Sequence, residues 1–134
     1  KTQLILVGKT DSKIFSEAID SIEPVVIPDI KNTKKLTEEQ QKKLEGDCIL
    51  KQIQTGDTVV LLDEGGKEMM SVEFAEWMRR KMNATSRKLI FVIGGPYGFS
   101  KEVYERADEK ISLSRMTFSH QMVRLIFVEQ LTGP

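Results

Sequence analysis

The chain is poor in the residues that carry most covalent and metal chemistry. It holds one cysteine, Cys48, and one histidine, His120, among 134 residues. A single cysteine cannot close an intramolecular disulfide, which suits a reducing compartment and sets a cytoplasmic expectation. One cysteine and one histidine fall short of the usual zinc ligand sets, so no metal site is expected. An excess of charge of one sign is also missing, because 20 basic residues balance 20 acidic ones. Net charge therefore argues neither for nor against a nucleic-acid partner; only local clusters bear on that. No apolar run approaches the roughly 20 residues of a membrane-spanning helix, and Lys1-Thr2-Gln3 does not open a secretory leader. Several serines coexist with the one histidine, but no Ser/His/acid set stands out, which argues against a hydrolase.

What is present is 40% hydrophobic residues, enough for one core, with no repeat, low-complexity tract or linker. Residues 1–134 are therefore expected to form a single domain. The most informative stretch runs from Phe91 to Ser100. Leu89, Ile90, Val92 and Ile93 read as a fully buried strand. Gly94, Gly95, Pro96 and Gly98 follow as a tight turn, and Ser100 is placed to cap a helix over Lys101–Ala107. Glycines at the carboxyl end of a strand let a ligand approach the backbone in open α/β sheets. The same pattern also fits a plain strand-to-helix loop.

In chain order, Gln3–Val7 reads as a strand closed by Gly8, and Asp11 or Ser12 as the cap of a helix through Ile19. Val25–Ile27 is a brief strand between two prolines, and Lys31–Lys35 a polar loop. Thr37 and Gln40 form a capping box that opens a helix to about Gln54, burying Leu44, Cys48, Ile49 and Ile53, with Gly56 near its C′ position. Thr58–Leu62 is a third strand and Asp63–Lys67 the turn beyond it. Ser71 starts a helix with Glu73 and Glu76 early and Arg79, Arg80 and Lys81 late, an order that suits the helix dipole. Phe74, Trp77, Met78 and Met82 fall at helical spacing, as a core or interface stripe does. Asn83–Arg87 connects to the next strand. Ile111–Leu113 is a short strand, Ser114–Ser119 a loop, and His120–Leu131 an apolar segment read as a buried helix. Alternating strands and helices predict an α/β domain with a mostly parallel sheet and helices on both faces.

Chemistry in such a sheet is expected where strands end. The loops Asp63–Gly66, Gly94–Gly98 and Ser114–Ser119 should converge at one edge. They are rich in backbone and poor in nucleophiles. With walls from Leu62, Ile93, Leu113 and Met116, they suit a small organic cofactor held by main-chain hydrogen bonds. The turn lacks the G-x-G-x-x-G form of a dinucleotide site and the Lys-Ser/Thr ending of a P-loop.

Three segments carry a resemblance. Val92–Gly98, Leu113–Arg124 and Val128–Leu131, with Val59–Glu64 in support, are similar to the RlmH family. These are SPOUT-class methyltransferases acting on N3 of a pseudouridine in large-subunit ribosomal RNA, and the similarity runs from Gln3 to Leu131. The resemblance implies a C-terminal trefoil knot, an exception to the near absence of knots in protein folds. It implies S-adenosylmethionine as methyl donor, a homodimer, and ribosomal RNA or the assembled ribosome as partner, with no DNA and no membrane. Carried over residue by residue, the cofactor contacts fall on Leu62, Gly94, Leu113, Ser114, Arg115, Met116, Thr117 and Phe118, with Gly95 as a neighbour.

The sequence departs from the family pattern in two places. Ile19-Asp20 passes almost at once to Pro24-Val25, where the family has the rest of a helix and a connector. After Leu131 the family continues to a tail rich in aromatics and histidine, whereas here Thr132-Gly133-Pro134 follows. A missing tail bears on RNA binding and methyl transfer, not on most cofactor contacts.

Methylating a protonated ring nitrogen requires removal of that proton and in-line alignment. Arg124 and Arg115 are candidates to stabilise the developing anion. His120 is the side chain whose usual pKa suits proton handling, and it equally suits a helix-capping or packing role. Arg124 is equally placed to pair across a dimer. Lys34-Lys35, Lys42-Lys43, Arg79–Lys81 and Arg87-Lys88 are candidate phosphate contacts or simply solvated faces. The alternative from another class is a non-catalytic RNA- or cofactor-binding ribosome-assembly protein on this fold.

Overall fold

A strand apolar at every position has to be covered on both faces. Leu89–Ile93 meets that condition in the computed structural model, which describes residues 2–8, 25–28, 35–69, 71–84, 87–95 and 97–112. The elements are β1 (Thr2–Val7), β2 (Val25–Ile27), α1 (Glu38–Leu50), β3 (Thr58–Glu68), α2 (Ser71–Ala84), β4 (Leu89–Ile93), α3 (Lys101–Arg106) and β5 (Glu109–Ser112). The strands form one sheet in the order β2-β1-β4-β3-β5. Every pairing is parallel. This is the α/β architecture expected from the alternation.

Period-two alternation sorts the side chains. Leu4 and Leu6 of β1, Val60 and Leu62 of β3, and Leu89, Phe91 and Ile93 of β4 pack in one cluster with Phe74, Trp77 and Met78 of α2. Trp77 stacks on Phe74 at 5.9 Å between ring centroids and meets Phe91 at 6.0 Å. The intervening residues, Ile5, Val7, Val59, Leu61, Ile90 and Val92, pack on the opposite face with Ile49 of α1, Phe99 and Val103 of α3. Lys81 pairs with Glu109 and lies 5.9 Å over the Trp77 ring.

The helix starts follow their local signals. Thr37 Oγ1 accepts from Gln40 N–H at 3.1 Å, and Gln40 Oε1 accepts from Thr37 N–H at 2.9 Å, completing the capping box. Ser100 caps α3, its hydroxyl accepting from Val103 N–H at 3.4 Å.

Several boundaries differ from expectation. Helix α1 ends at Leu50, not near Gln54, and Lys51 is its C-cap. Short-range bonds from Gln52 to Ile49 and from Ile53 to Leu50 tighten the exit. Gly56, with φ 93°, instead serves the next turn, where Asp57 accepts from Gln54 N–H at 2.8 Å. Leu44 is exposed, and the buried stripe of α1 is Glu45, Gly46 and Ile49. Cys48 and Ile53 are half-buried beside that face. Strand β3 also continues through the expected Asp63–Lys67 turn, with a register break against β5 between Leu62 and Lys67. Helix α2 takes in Asn83 and Ala84, which composition had assigned to a connector. The helix expected from Asp11 or Ser12 to Ile19, most of the 31–35 loop, Leu113, the 114–119 loop, the 120–131 helix and the knot lie outside the described residues.

The register break explains a glycine. A Cβ on Gly66 would lie 2.6 Å from the Ile111 backbone nitrogen, whereas one on Gly65 would meet only Asp63 Oδ1 at 3.7 Å. Gly66→Ala should therefore lower stability by about 1–3 kcal/mol through overpacking against main chain that cannot yield. Gly65→Ala should stay within about 0.5 kcal/mol of the parent. Urea denaturation midpoints of the two variants check this, and equal midpoints would contradict the close approach.

Candidate functional site

Parallel pairing brings Leu62, inside β3, beside the carboxyl end of β4. Leu62 is the register partner of Ile93, so Gly94 leaves the sheet next to the point where β3 passes into Asp63. Ile111 of β5 lies opposite Leu62 on the other side. Leu62 is 9% exposed, Gly94 is buried and Gly95 half-buried. Of the sequence-assigned cofactor residues, the structure thus brings Leu62, Gly94 and Gly95 to one edge. Leu113, Ser114, Arg115, Met116, Thr117, Phe118, His120 and Arg124 lie outside the described residues.

The Gly-rich turn is held from several sides. Gly98, at φ 84°, donates its N–H to the Gly95 carbonyl at 3.3 Å, and the two residues form an antiparallel bridge. The Phe99 ring folds under Gly94, where an added Cβ would sit 2.8 Å from Cε1. The space vacated at Gly94 is therefore filled first by Phe99. Glu45 of α1 lies beneath Gly95, its Oε1 2.9 Å from where a Cβ would be. Glu45 is 5% exposed and accepts from Gln41 Nε2 at 3.1 Å. One residue on, Gly46 lets α1 approach Ser100 and Val103. Sequence reading missed Glu45, because a carboxylate in a charged helix carries no local sign of burial.

A second device lies beside the strand end. The Tyr104 hydroxyl donates to Asp63 Oδ2, and Asp63 Oδ1 accepts from Gly65 N–H at 3.0 Å. Phe99 meets the Tyr104 ring edge-on at 5.8 Å, and Lys110 Nζ lies 5.4 Å over it. These groups border an open depression of about 620 Å³ lined by Asp63, Tyr104, Ala107, Asp108, Glu109 and Lys110. The lining holds three carboxylates and none of the sequence-assigned cofactor residues, so the depression is a neighbour of that edge. No spacing links Asp63 to Tyr104 in the sequence; only the fold joins them.

The basic clusters separate by their partners. Lys42 pairs with Glu39 at 2.8 Å and Lys43 with Glu102 at 3.8 Å. Arg87 donates to Gln54 Oε1 at 3.2 Å and lies 4.0 Å from Asp57. Arg79 and Arg80 are exposed on α2. Among the described residues, no helix is long and apolar enough to cross a membrane.

Two outcomes follow from this geometry. Gly94→Ala should cost about 1–3 kcal/mol by pressing on Phe99, and a Phe99→Leu background should reduce that cost. A double-mutant cycle reads the coupling, and additive energies would refute the contact. Burial, then the hydrogen bond to Asp63 and its charge, push the Tyr104 hydroxyl from 10.0 up to about 12. Between these values the folded chain keeps a proton that the unfolded chain loses, so this contribution is intact below 10 and fades as pH climbs to 12. Tyr104→Phe should flatten that alkaline decline in denaturation midpoints. An unchanged slope would show that the hydroxyl titrates normally.

Comparison with known proteins agrees with this architecture. The family model described as "Predicted SPOUT methyltransferase" matches residues 1–132. A Bacteroides thetaiotaomicron protein named "Ribosomal RNA large subunit methyltransferase H" is 55% identical over 98% of this chain and 90% of its own length. Proteins of the same name from Bacteroides fragilis and Flavobacterium johnsoniae are 57% identical (98% of this chain, 90% of theirs) and 50% identical (96% and 88%). The parallel sheet, the Gly-rich turn at its carboxyl edge and similarity across nearly the whole length make this chain a member of the SPOUT methyltransferase family, in its ribosomal RNA large subunit methyltransferase H branch.

Proposed function

We propose that this chain methylates N3 of a pseudouridine in large-subunit ribosomal RNA, with S-adenosylmethionine as donor. The observation that carries the reading is identity above half, over almost the full length, to proteins named for large-subunit ribosomal RNA methylation. A cytoplasmic place of action and a single domain over residues 1–134 belong to the same reading.

The described part of the edge suits such a donor. Leu62 offers an apolar side chain, and beside it Gly94 and Gly95 offer backbone without side chains. Leu113, Ser114, Arg115, Met116, Thr117 and Phe118 are proposed to complete the pocket. When bound, the cofactor supplies a methyl group on a sulfonium, activated enough that alignment with the acceptor nitrogen is the main demand on the protein. The N3 proton must leave as the nitrogen–carbon bond forms. His120 is proposed to accept it, directly or through water. Arg124 is proposed to stabilise the negative charge that proton loss leaves on the base. If residues 120–131 form the expected helix, positions 120 and 124 share one face of it. The apolar segment Met122–Leu131 is proposed as the homodimer contact.

The test is transfer of labelled methyl from S-adenosylmethionine to purified large subunits and ribosomes, with the modified nucleoside identified by mass spectrometry. N3-methylated pseudouridine is the expected product. Cofactor binding without transfer would support the non-catalytic assembly role instead. Arg124→Lys keeps charge but loses the planar fork. It should lower turnover at least tenfold and leave calorimetric cofactor affinity within about twofold, the mark of a contact made only in the transition state. Wild-type turnover would make the arginine structural. A monomeric variant in light scattering would assign it to the dimer contact.

A further inference from the structure

We infer that Tyr97 is a base-stacking residue for the RNA substrate, seating a nucleotide against the turn that also carries Gly94 and Gly95. This rests on the methyltransferase reading above and adds the residue that recognises the acceptor. Tyr97 is 45% exposed, the highest value among the exposed large hydrophobic residues of the described chain. It sits in the turn closed by the Gly95–Gly98 bridge, at the carboxyl end of β4. Its near neighbour Phe99 is 5% exposed and points into the core, where it fills the space at Gly94. The two aromatic residues thus divide the work, one anchoring the turn and the other presented on it.

Tyr104, the other exposed aromatic of this region, is already engaged. Its hydroxyl is held by Asp63 and its ring by Phe99 and Lys110. Tyr97 has no ring or hydrogen-bonding partner among the described residues. The turn that carries it is closed by the Gly95–Gly98 bridge, with the Phe99 ring against Gly94 and Glu45 against Gly95. A tyrosine loses little freedom on binding, having two side-chain torsions to settle.

The chemistry asks for such a ring. N3 lies on the Watson–Crick edge of a pyrimidine, so the base must leave its stack to present that edge to a methyl donor. An unstacked base loses its neighbours' faces, and an aromatic side chain can replace one of them. A ring two residues beyond Gly95 lies within reach of a base whose N3 must meet a donor held at Gly94 and Gly95. Stacking uses the ring face, so the hydroxyl is dispensable.

The experiment measures steady-state methyl transfer to purified large subunits or ribosomes, whichever the wild type accepts, for wild type, Tyr97→Ala and Tyr97→Phe. Calorimetry with S-adenosylmethionine and light scattering accompany each protein. Tyr97→Ala should raise KM for the ribosomal substrate about tenfold, with cofactor affinity and dimer unchanged. Tyr97→Phe should recover most of that loss. A wild-type KM in Tyr97→Ala overturns the proposal and leaves the methyltransferase reading standing. Equal defects in Ala and Phe would point to the hydroxyl and overturn stacking, and loss of the dimer would place the ring in the subunit contact. A wild type that transfers no methyl group would overturn both readings.

Discussion

Burial of β4 on both faces is the constraint on which the rest of the molecule depends. None of its five residues is more than 3% exposed. It lies between β1 and β3, in register with both, so that Leu6, Ile93 and Leu62 stand in one row. Because side chains alternate with a period of two, a slip of one residue would turn Phe91 away from Trp77 and push Val92 into its place. The core therefore sets where the strand ends. Leu62 and Gly94 share an edge because the apolar residues upstream of them permit one register.

Both ends of the sheet are then tied by polar contacts. At the amino edge, Asp108 accepts from Val59 N–H at 2.7 Å while its own N–H donates to the Val59 carbonyl at 2.8 Å. Arg106 reaches the carbonyls of Gln54 and Asp57 at 3.2 and 3.0 Å. These bonds register β5 against β3 before its apolar residues begin, which is why the strand starts at Glu109 and not at Ile111. At the carboxyl edge, Tyr104 ties Asp63 to α3. Helix α1 supports the Gly-rich turn through Glu45 and packs on α3 through Gly46.

What could be read from the sequence was what is local. Apolar runs such as Leu4–Val7 and Leu89–Ile93, the Thr37–Gln40 capping box and the Ser100 cap each carry their own signal within a few residues. What could not be read depends on partners far away. Asp63–Lys67 has turn composition, yet it continues β3, because Gly66 lets the β5 backbone come close. Leu44 follows helical spacing but faces solvent, since α1 docks by its Glu45-Gly46-Ile49 side on α3 and the Gly-rich turn. At this edge, the Gly94–Gly95 turn is legible because the end of β4 is visible in sequence, whereas Leu62, expected to close its strand, lies inside β3. Glu45 and the Asp63–Tyr104 pair are not legible, because nothing local marks them.

The shortage of reactive side chains takes on a different sense beside this geometry. Transfer of an activated methyl group asks a protein chiefly to hold two partners in line, and a small misplacement is costly. Main chain at the end of a buried strand answers that demand better than a flexible side chain, because its position is inherited from the core. Gly94 illustrates the point. Its missing side chain admits Phe99, and Phe99 in turn links the turn to α3 through the Tyr104 ring. A glycine whose place at a strand end suggests room for a ligand is a packing residue in this structure. Any ligand at this edge must approach Gly94 from a side other than the one the Phe99 ring fills.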